Sequence, residues 1–215
     1  MIVTLVISIL VGIMLCNIMY NLYCTDNKDN SILKSLIYCG KISFVFYFLV
    51  ILSNCIICML HINDITIFEM IYSYAIISFT IGMSSIDIKL KLLPTKLIKI
   101  FVLVWFGISS VYLIYSLDIA TQYIFKCLLG ALFGFITFMF TYIVSGKKLG
   151  GGDIRLATIM GLFLTSDRIL VALLFGTLMS ALYSLIMMIL KKLKPKDSIP
   201  LCPFLCVGTI ISLLS

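Results

Sequence analysis

Apolar runs long enough to cross a bilayer constrain this chain more than any other feature. A membrane-spanning helix needs about 20 consecutive apolar residues. Such runs lie near residues 1–20, 42–60, 66–83, 100–117, 123–144, 169–190 and 199–215. A shorter apolar segment, 154–165, lies between two of them. Only 12% of the 215 residues are charged, about half the share of a soluble domain. That leaves too little polar surface to coat a water-soluble globule. In lipid every backbone polar group must be satisfied internally, and for runs of this length the solution is a helix. The expected fold is therefore all-α: a polytopic membrane helical bundle of about seven to eight transmembrane helices, forming one integral membrane domain over 1–215. The first run lacks a basic n-region and a small-residue cleavage site, so it is expected to be a span, not a removed secretory peptide.

The net charge of +7 has a ready explanation in a membrane protein. Lys and Arg collect in cytoplasmic loops. Loops 84–99, 145–155 and 191–198 hold four, three and four basic residues, together 11 of the chain's 16. The loops between them, His61 to Glu69 and around Asp118, are neutral or acidic. The first set reads as cytoplasmic and the second as external. The charge thus points to membrane lipid as the surrounding partner and gives no reason to invoke nucleic acid. Segment 154–165 would span about 18 Å. It is expected to turn at Thr165-Ser166-Asp167-Arg168 and return through 169–190. Loop 21–41 carries a net charge of only +1; placing it inside gives eight crossings with both termini outside.

Eight cysteines raise the question of metal binding. Most lie inside apolar runs, among them Cys16, Cys55, Cys58 and Cys127, where a free thiol behaves as a small hydrophobe. Cys55 and Cys58 have CxxC spacing but no second pair, and a structural zinc site needs four ligands. No metal site is expected.

Nine residues are acidic. Seven of them (Asp26, Asp29, Asp64, Glu69, Asp118, Asp167 and Asp197) sit near expected span ends or in polar turns, where solvation accounts for them. Asp87 and Asp153 differ. Asp87 ends an apolar span and is followed by a basic stretch containing Lys89, closed by Pro94. Asp153 follows Gly150-Gly151-Gly152 and precedes an apparent helix beginning Ile154-Arg155. Pro, Gly and Asp also make ordinary turns. Topology argues for more. The two aspartates are 66 residues apart, and the two intervening spans form an out-and-back hairpin that returns the chain to the same face. Two neighbouring carboxylates cannot both ionise cheaply; they share a proton and titrate as a pair. One can then act as base on water while the other donates to a scissile carbonyl, as in aspartic proteases. The glycines would allow a substrate backbone to approach closely.

These segments resemble the type IV prepilin peptidases, a GxGD family of aspartic membrane proteases. Gly150-Gly151-Gly152-Asp153 fits GxGD, and Ile154-Arg155-Leu156 its continuation. Asp87 followed by Pro94 resembles the family's first aspartate segment, with Thr95 where Asn is usual. Ile199-Pro200-Leu201-Cys202-Pro203-Phe204-Leu205 resembles its late Pro-Phe-Gly-Pro-Phe-Leu stretch, with Gly208 also in place. The resemblance covers roughly 80–210. It implies an aspartic endopeptidase of the bacterial inner membrane, without metal or other cofactor. Such an enzyme cuts on the cytoplasmic side, after the glycine ending the short leader of prepilin or pseudopilin precursors. It implies Asp87 and Asp153 as catalytic residues, Gly150 and Gly152 as the active-site loop, and Lys89, Arg155, Pro200 and Pro203 in support. The longer members, which also methylate the new N-terminus, carry two CxxC pairs in the loop after the first span. Loop 21–41 has only Cys24 and Cys39. Residues 1–60 therefore resemble N-terminal spans with a degenerate methyltransferase loop, and 66–215 the catalytic spans.

Three alternatives stand beside this reading. A presenilin-like intramembrane protease also uses GxGD, but with its first aspartate inside a span and a late Pro-Ala-Leu. A small proton-coupled transporter would place acidic residues at membrane depth, usually between internal repeats. A non-catalytic assembly factor would not need two aspartates on one face.

Overall fold

The computed structural model describes residues 66–90, 95–146, 149–191 and 199–215, together with Leu52 and Leu93. The expected spans 1–20 and 42–60 and loop 21–41 lie outside the described residues. Among the described residues from Thr66 on, five helices follow one another: α1 (Ile67–Leu90), α2 (Thr95–Tyr115), α3 (Leu117–Val144), α4 (Gly151–Ile189) and α5 (Cys202–Leu214). Among the described residues there is no strand. The chain divides into two compact units, Met1–Gly82 and Met83–Ser215. In the first, the described part of α1 is closely covered: Tyr72, Ala75, Ile76, Ile77, Phe79 and Thr80 are all buried.

Four of the helices, α1 to α4, are long and apolar enough to cross a membrane. α2 has 21 residues and α3 has 28, about 32 and 42 Å at 1.5 Å per residue. Ser116 alone separates them, in an extended conformation (φ −153°, ψ 101°). The Ser116 N–H still bonds back to Tyr112 O, and the Ala120 N–H bonds Ser116 O at 3.1 Å. One extended residue thus ends one helix and starts the next. Beyond it Tyr112 meets Tyr123, ring centroids 6.0 Å apart, so the chain folds back on itself at this turn. Asp118, expected near an external turn, is exposed in the first turn of α3, where the helix dipole favours an acid. Exposed Leu103, Ile114, Phe140 and Ile143 give α2 and α3 the apolar outer faces that lipid requires.

α3 and α4 approach through small residues. A Cβ on Gly130 would lie 2.5 Å from the Gly161 carbonyl oxygen and 2.6 Å from the Thr165 carbonyl carbon, and one on Gly134 would overlap the Ala157 carbonyl. Association in lipid depends on such contact, because apolar surface alone drives little between helices there. The pairing order, Gly134 with Ala157 and Gly130 with Gly161, makes the two helices antiparallel.

α4 has 39 residues but is not one rod. Thr165 breaks it, with φ 66° and ψ 171°, and this is the first residue of the turn expected from sequence. The segment 151–164 packs on α3. The segment after the break packs on α5, where a Cβ on Gly208 would overlap the Ala172 carbonyl and one on Gly176 would lie 2.9 Å from Leu205 Cδ2. Next to the break Lys126 Nζ pairs with Asp167 Oδ2 at 3.0 Å, both largely exposed.

Two boundaries differ from expectation. The run expected over 66–83 continues as helix to Leu90, so Asp87 lies in the last turn of a helix instead of a loop. The run expected to span over 199–215 forms a helix of only 13 residues, about 20 Å long. Pro203 has no N–H to extend the helix upstream, so regular structure begins at Cys202.

Candidate active site

The site is built from three chain segments of the unit Met83–Ser215: the end of α1, the start of α4 and the start of α5. Asp87 is on the last turn of α1 and only 6% exposed. Asp153 is the third residue of α4 and half-buried. The two carboxylates lie within electrostatic reach of each other, as the hairpin argument requires.

Each carboxylate is held by a backbone donor. The Cys202 N–H donates to Asp87 Oδ2 at 3.0 Å, a bond that bridges 115 residues. At the other aspartate, Gly150 caps α4 (φ −69°, ψ 135°) without a side chain to offer. The Asp153 N–H bonds Gly150 O at 3.0 Å, and the Asp153 carboxylate accepts a bond from the Gly150 backbone in return. The Asp153 side chain thus reaches back to the N-cap N–H, which is one half of a capping box with Asp at the third position.

The glycines separate into two kinds. A Cβ on Gly150 would lie 3.1 Å from Asp153 Oδ2, and one on Gly152 would lie 3.1 Å from Leu93 Cβ and Cδ1. A Cβ on Gly151 would meet nothing within 4 Å. The chain's own packing therefore uses the bare backbones of Gly150 and Gly152, and the open approach expected for a substrate backbone is confined to Gly151.

The supporting residues are placed unevenly. Pro203 sits in the first turn of α5 and Pro200 lies half-buried just before it. Arg155 is exposed on α4. Lys89 belongs to α1, but its side chain lies outside the described residues. Sequence reasoning passed over two groups in the site. Ser84, one turn before Asp87, lies next to the Cys202 thiol, and that thiol lies within electrostatic reach of both aspartates. Cys202 stands where the resembled stretch has Gly, which was the available pointer. Among the described residues no His, Cys, Asp and Glu gather in a metal-binding cluster.

The model of the type IV leader peptidase family matches residues 74–185, more than half of the chain and both aspartates. This chain belongs to the type IV leader peptidase family. A curated relative, the "Prepilin leader peptidase/N-methyltransferase" of Bacillus subtilis (strain 168), is 27% identical over 177 residues, covering 82% of this chain and 68% of the relative. No solved structure matches the chain. Membership makes the protein a peptidase with apolar membrane helices, and the transporter and assembly-factor alternatives fall with it.

Proposed function

We propose that this leader peptidase is an aspartic endopeptidase that removes the leader from type IV prepilin or pseudopilin precursors at the cytoplasmic face of the bacterial inner membrane. Asp87 and Asp153 form the catalytic pair. The observation that carries the reading is their convergence: two acids 66 residues apart in sequence interact at one end of the helices, each oriented by a backbone N–H.

Sharing one proton, the pair supplies both roles that peptide hydrolysis needs. One carboxylate takes a proton from water as the water oxygen attacks the scissile carbonyl carbon. The other carboxyl gives its proton to the carbonyl oxygen. Collapse of the tetrahedral intermediate breaks the C–N bond, and a proton passes to the leaving amine. The substrate backbone approaches over Gly151, the glycine with open space beside it. The basic residues of loops 84–99, 145–155 and 191–198 support a cytoplasmic site. N-methyl transfer, named for the Bacillus subtilis relative, is left out of the proposal because loop 21–41 carries only Cys24 and Cys39.

The test is Asp87→Asn and Asp153→Asn, each co-expressed with a prepilin and read as a gel shift. Each variant inserts into the membrane and loses cleavage by about 10²–10⁴-fold, the range for removing a positioned acid or base. Full processing by either one would remove that residue from the catalytic pair.

A further inference from the structure

The contacts between α3 and α4 fix how deep the catalytic end lies. Gly130 sits against Gly161 and Gly134 against Ala157. On antiparallel helices this register puts Thr165 level with Lys126 and Asp153 level with Phe138. The Lys126–Asp167 ion pair fits the first of these levels. Between Lys126 and its last residue, Val144, α3 carries no charge over 18 residues, about 27 Å and close to the ~30 Å of a hydrocarbon core. α4 likewise carries none between Arg168 and Lys191. From Thr165 back to Asp153, however, is only 12 residues, about 18 Å. α3 therefore continues about 9 Å past the level of Asp153, and Phe140, Ile143 and Val144 on that extension are exposed. α4 does the same beside α5. Gly176 packs against Leu205, so Cys202, whose N–H holds Asp87, is level with Met179. The helix runs on for ten more residues to Ile189, with Leu182, Leu185 and Ile186 exposed. Apolar helix exposed in this way belongs in lipid, not above it.

Another side of the same level is wet. Arg155 is exposed on α4 and, by the same register, level with Ile136 of α3. A charged side chain at membrane depth faces the bundle interior or a water-filled cavity. Gly151, four residues before Arg155 and on the same helix face, is exposed with nothing beside it. Leu93, which lies against Gly152, leads into the first turns of α2, where Lys96 and Lys99 are exposed. Farther along the Arg155 face Thr158 and Leu162 are only partly exposed, so the opening is shallow. We infer that the catalytic pair works about 9 Å or more beneath the membrane surface, in a recess walled by lipid-facing α3 and α4 and open to water along Gly151 and Arg155. The inference rests on the reading that Asp87 and Asp153 are catalytic. The substrate is then a chain that delivers its scissile bond below the surface in extended form. Extended backbone rises about 3.3 Å per residue, so about three residues of substrate lie below the surface before the bond reaches the acids. The water consumed in hydrolysis enters along the Gly151–Arg155 face.

Ile136 and Arg155 lie at one level, the first facing lipid and the second the recess, and the test compares them. The full-length enzyme is placed in lipid nanodiscs in a Trp105→Phe background, which removes the chain's single tryptophan. Ile136→Trp and Arg155→Trp are then read one at a time by fluorescence. Acyl-brominated lipid quenches Ile136→Trp severalfold more than aqueous iodide does, and iodide quenches Arg155→Trp severalfold more than the brominated lipid. Val144→Trp marks the surface: bromines near the headgroup end of the acyl chain quench it best, whereas bromines deeper along the chain quench Ile136→Trp best. Strong iodide quenching of Ile136→Trp puts the pair at the surface and overturns the inference. Stronger quenching of Arg155→Trp by brominated lipid than by iodide removes the aqueous recess and overturns it as well. If Arg155→Trp does not fold, Lys96→Trp reports the same opening. Asp153→Asn in the same nanodiscs, given a model prepilin peptide (a Lys-rich leader ending in glycine, then an apolar helix), separates the two ideas. If it still cleaves the peptide, the catalytic reading fails whatever the depth; if it is inactive while iodide quenches Ile136→Trp, only the depth fails.

Discussion

The contact between α3 and α4 makes one substitution opposite in sign at two helical glycines. Gly107 and Gly161 are both interior to helices. Replacing an exposed helical Gly with Ala gains up to about 1 kcal/mol of helix propensity. At Gly107 nothing lies within 4 Å of the new methyl, so that gain is kept. At Gly161 the methyl would overlap the Gly130 carbonyl and lie 2.7 Å from the Ala131 nitrogen. Both are backbone atoms, so no side chain can rotate away and the helices must part. Overpacking of this kind costs about 1–3 kcal/mol, and the net effect is a loss of up to about 2 kcal/mol. Trp105 is the chain's single tryptophan and is buried, so its fluorescence reports unfolding in detergent. At about 2–4 °C per kcal/mol for a chain of this size, Gly161→Ala lowers Tm by up to about 8 °C, and Gly107→Ala raises it by a few degrees. Asp153 is eight residues from Gly161 on the same helix segment, so cleavage falls with the first variant and holds with the second. A Gly161→Ala protein stabilised as much as Gly107→Ala would refute the close approach of α3 and α4.

The glycine loop gives a second contrast. Gly151→Ala retains cleavage in the peptide assay, whereas Gly152→Ala, with its Cβ 3.1 Å from two Leu93 carbons, lowers it severalfold. Orientation is tested with single cysteines in a cysteine-free background and a membrane-impermeant maleimide. Thr95→Cys and Gly146→Cys label only after lysis, and Asn63→Cys labels in intact cells; labelling of Gly146→Cys in intact cells would invert the proposed topology.

Much of this arrangement could be read from residues alone. Apolar run length located the helices, and the polar quartet Thr165–Arg168 marked where α4 breaks. The out-and-back hairpin between Asp87 and Asp153 returns both to one face, and it is legible in the order of the apolar runs. Helix ends were less legible. Hydropathy marks where a helix leaves lipid, not where its hydrogen bonds stop, so Lys89 and Lys96, both within helices, read as loop residues. The hold on Asp87 was invisible for a different reason. A backbone N–H has no sequence identity, and nothing in the side chain of Cys202 announces that its amide faces a carboxylate. Ser84 becomes informative only once α1 is known to continue past it, placing it and Asp87 on one face.

Thr165 carries a load that the rest of the bundle must bear. A β-branched residue at φ 66° sits where glycine is comfortable, at a cost of about 1–3 kcal/mol. Left alone, this joint would relax and change the angle between its two arms. One arm bears Asp153 and is pinned to α3 at Gly130 and Gly134. The other is pinned to α5 at Gly176 and Gly208, and the first residue of α5 holds Asp87. The path from one carboxylate's support to the other's therefore runs through a sprung joint clamped at both ends. Loosening either clamp lets the spring open, and the distance between the two acids changes with it.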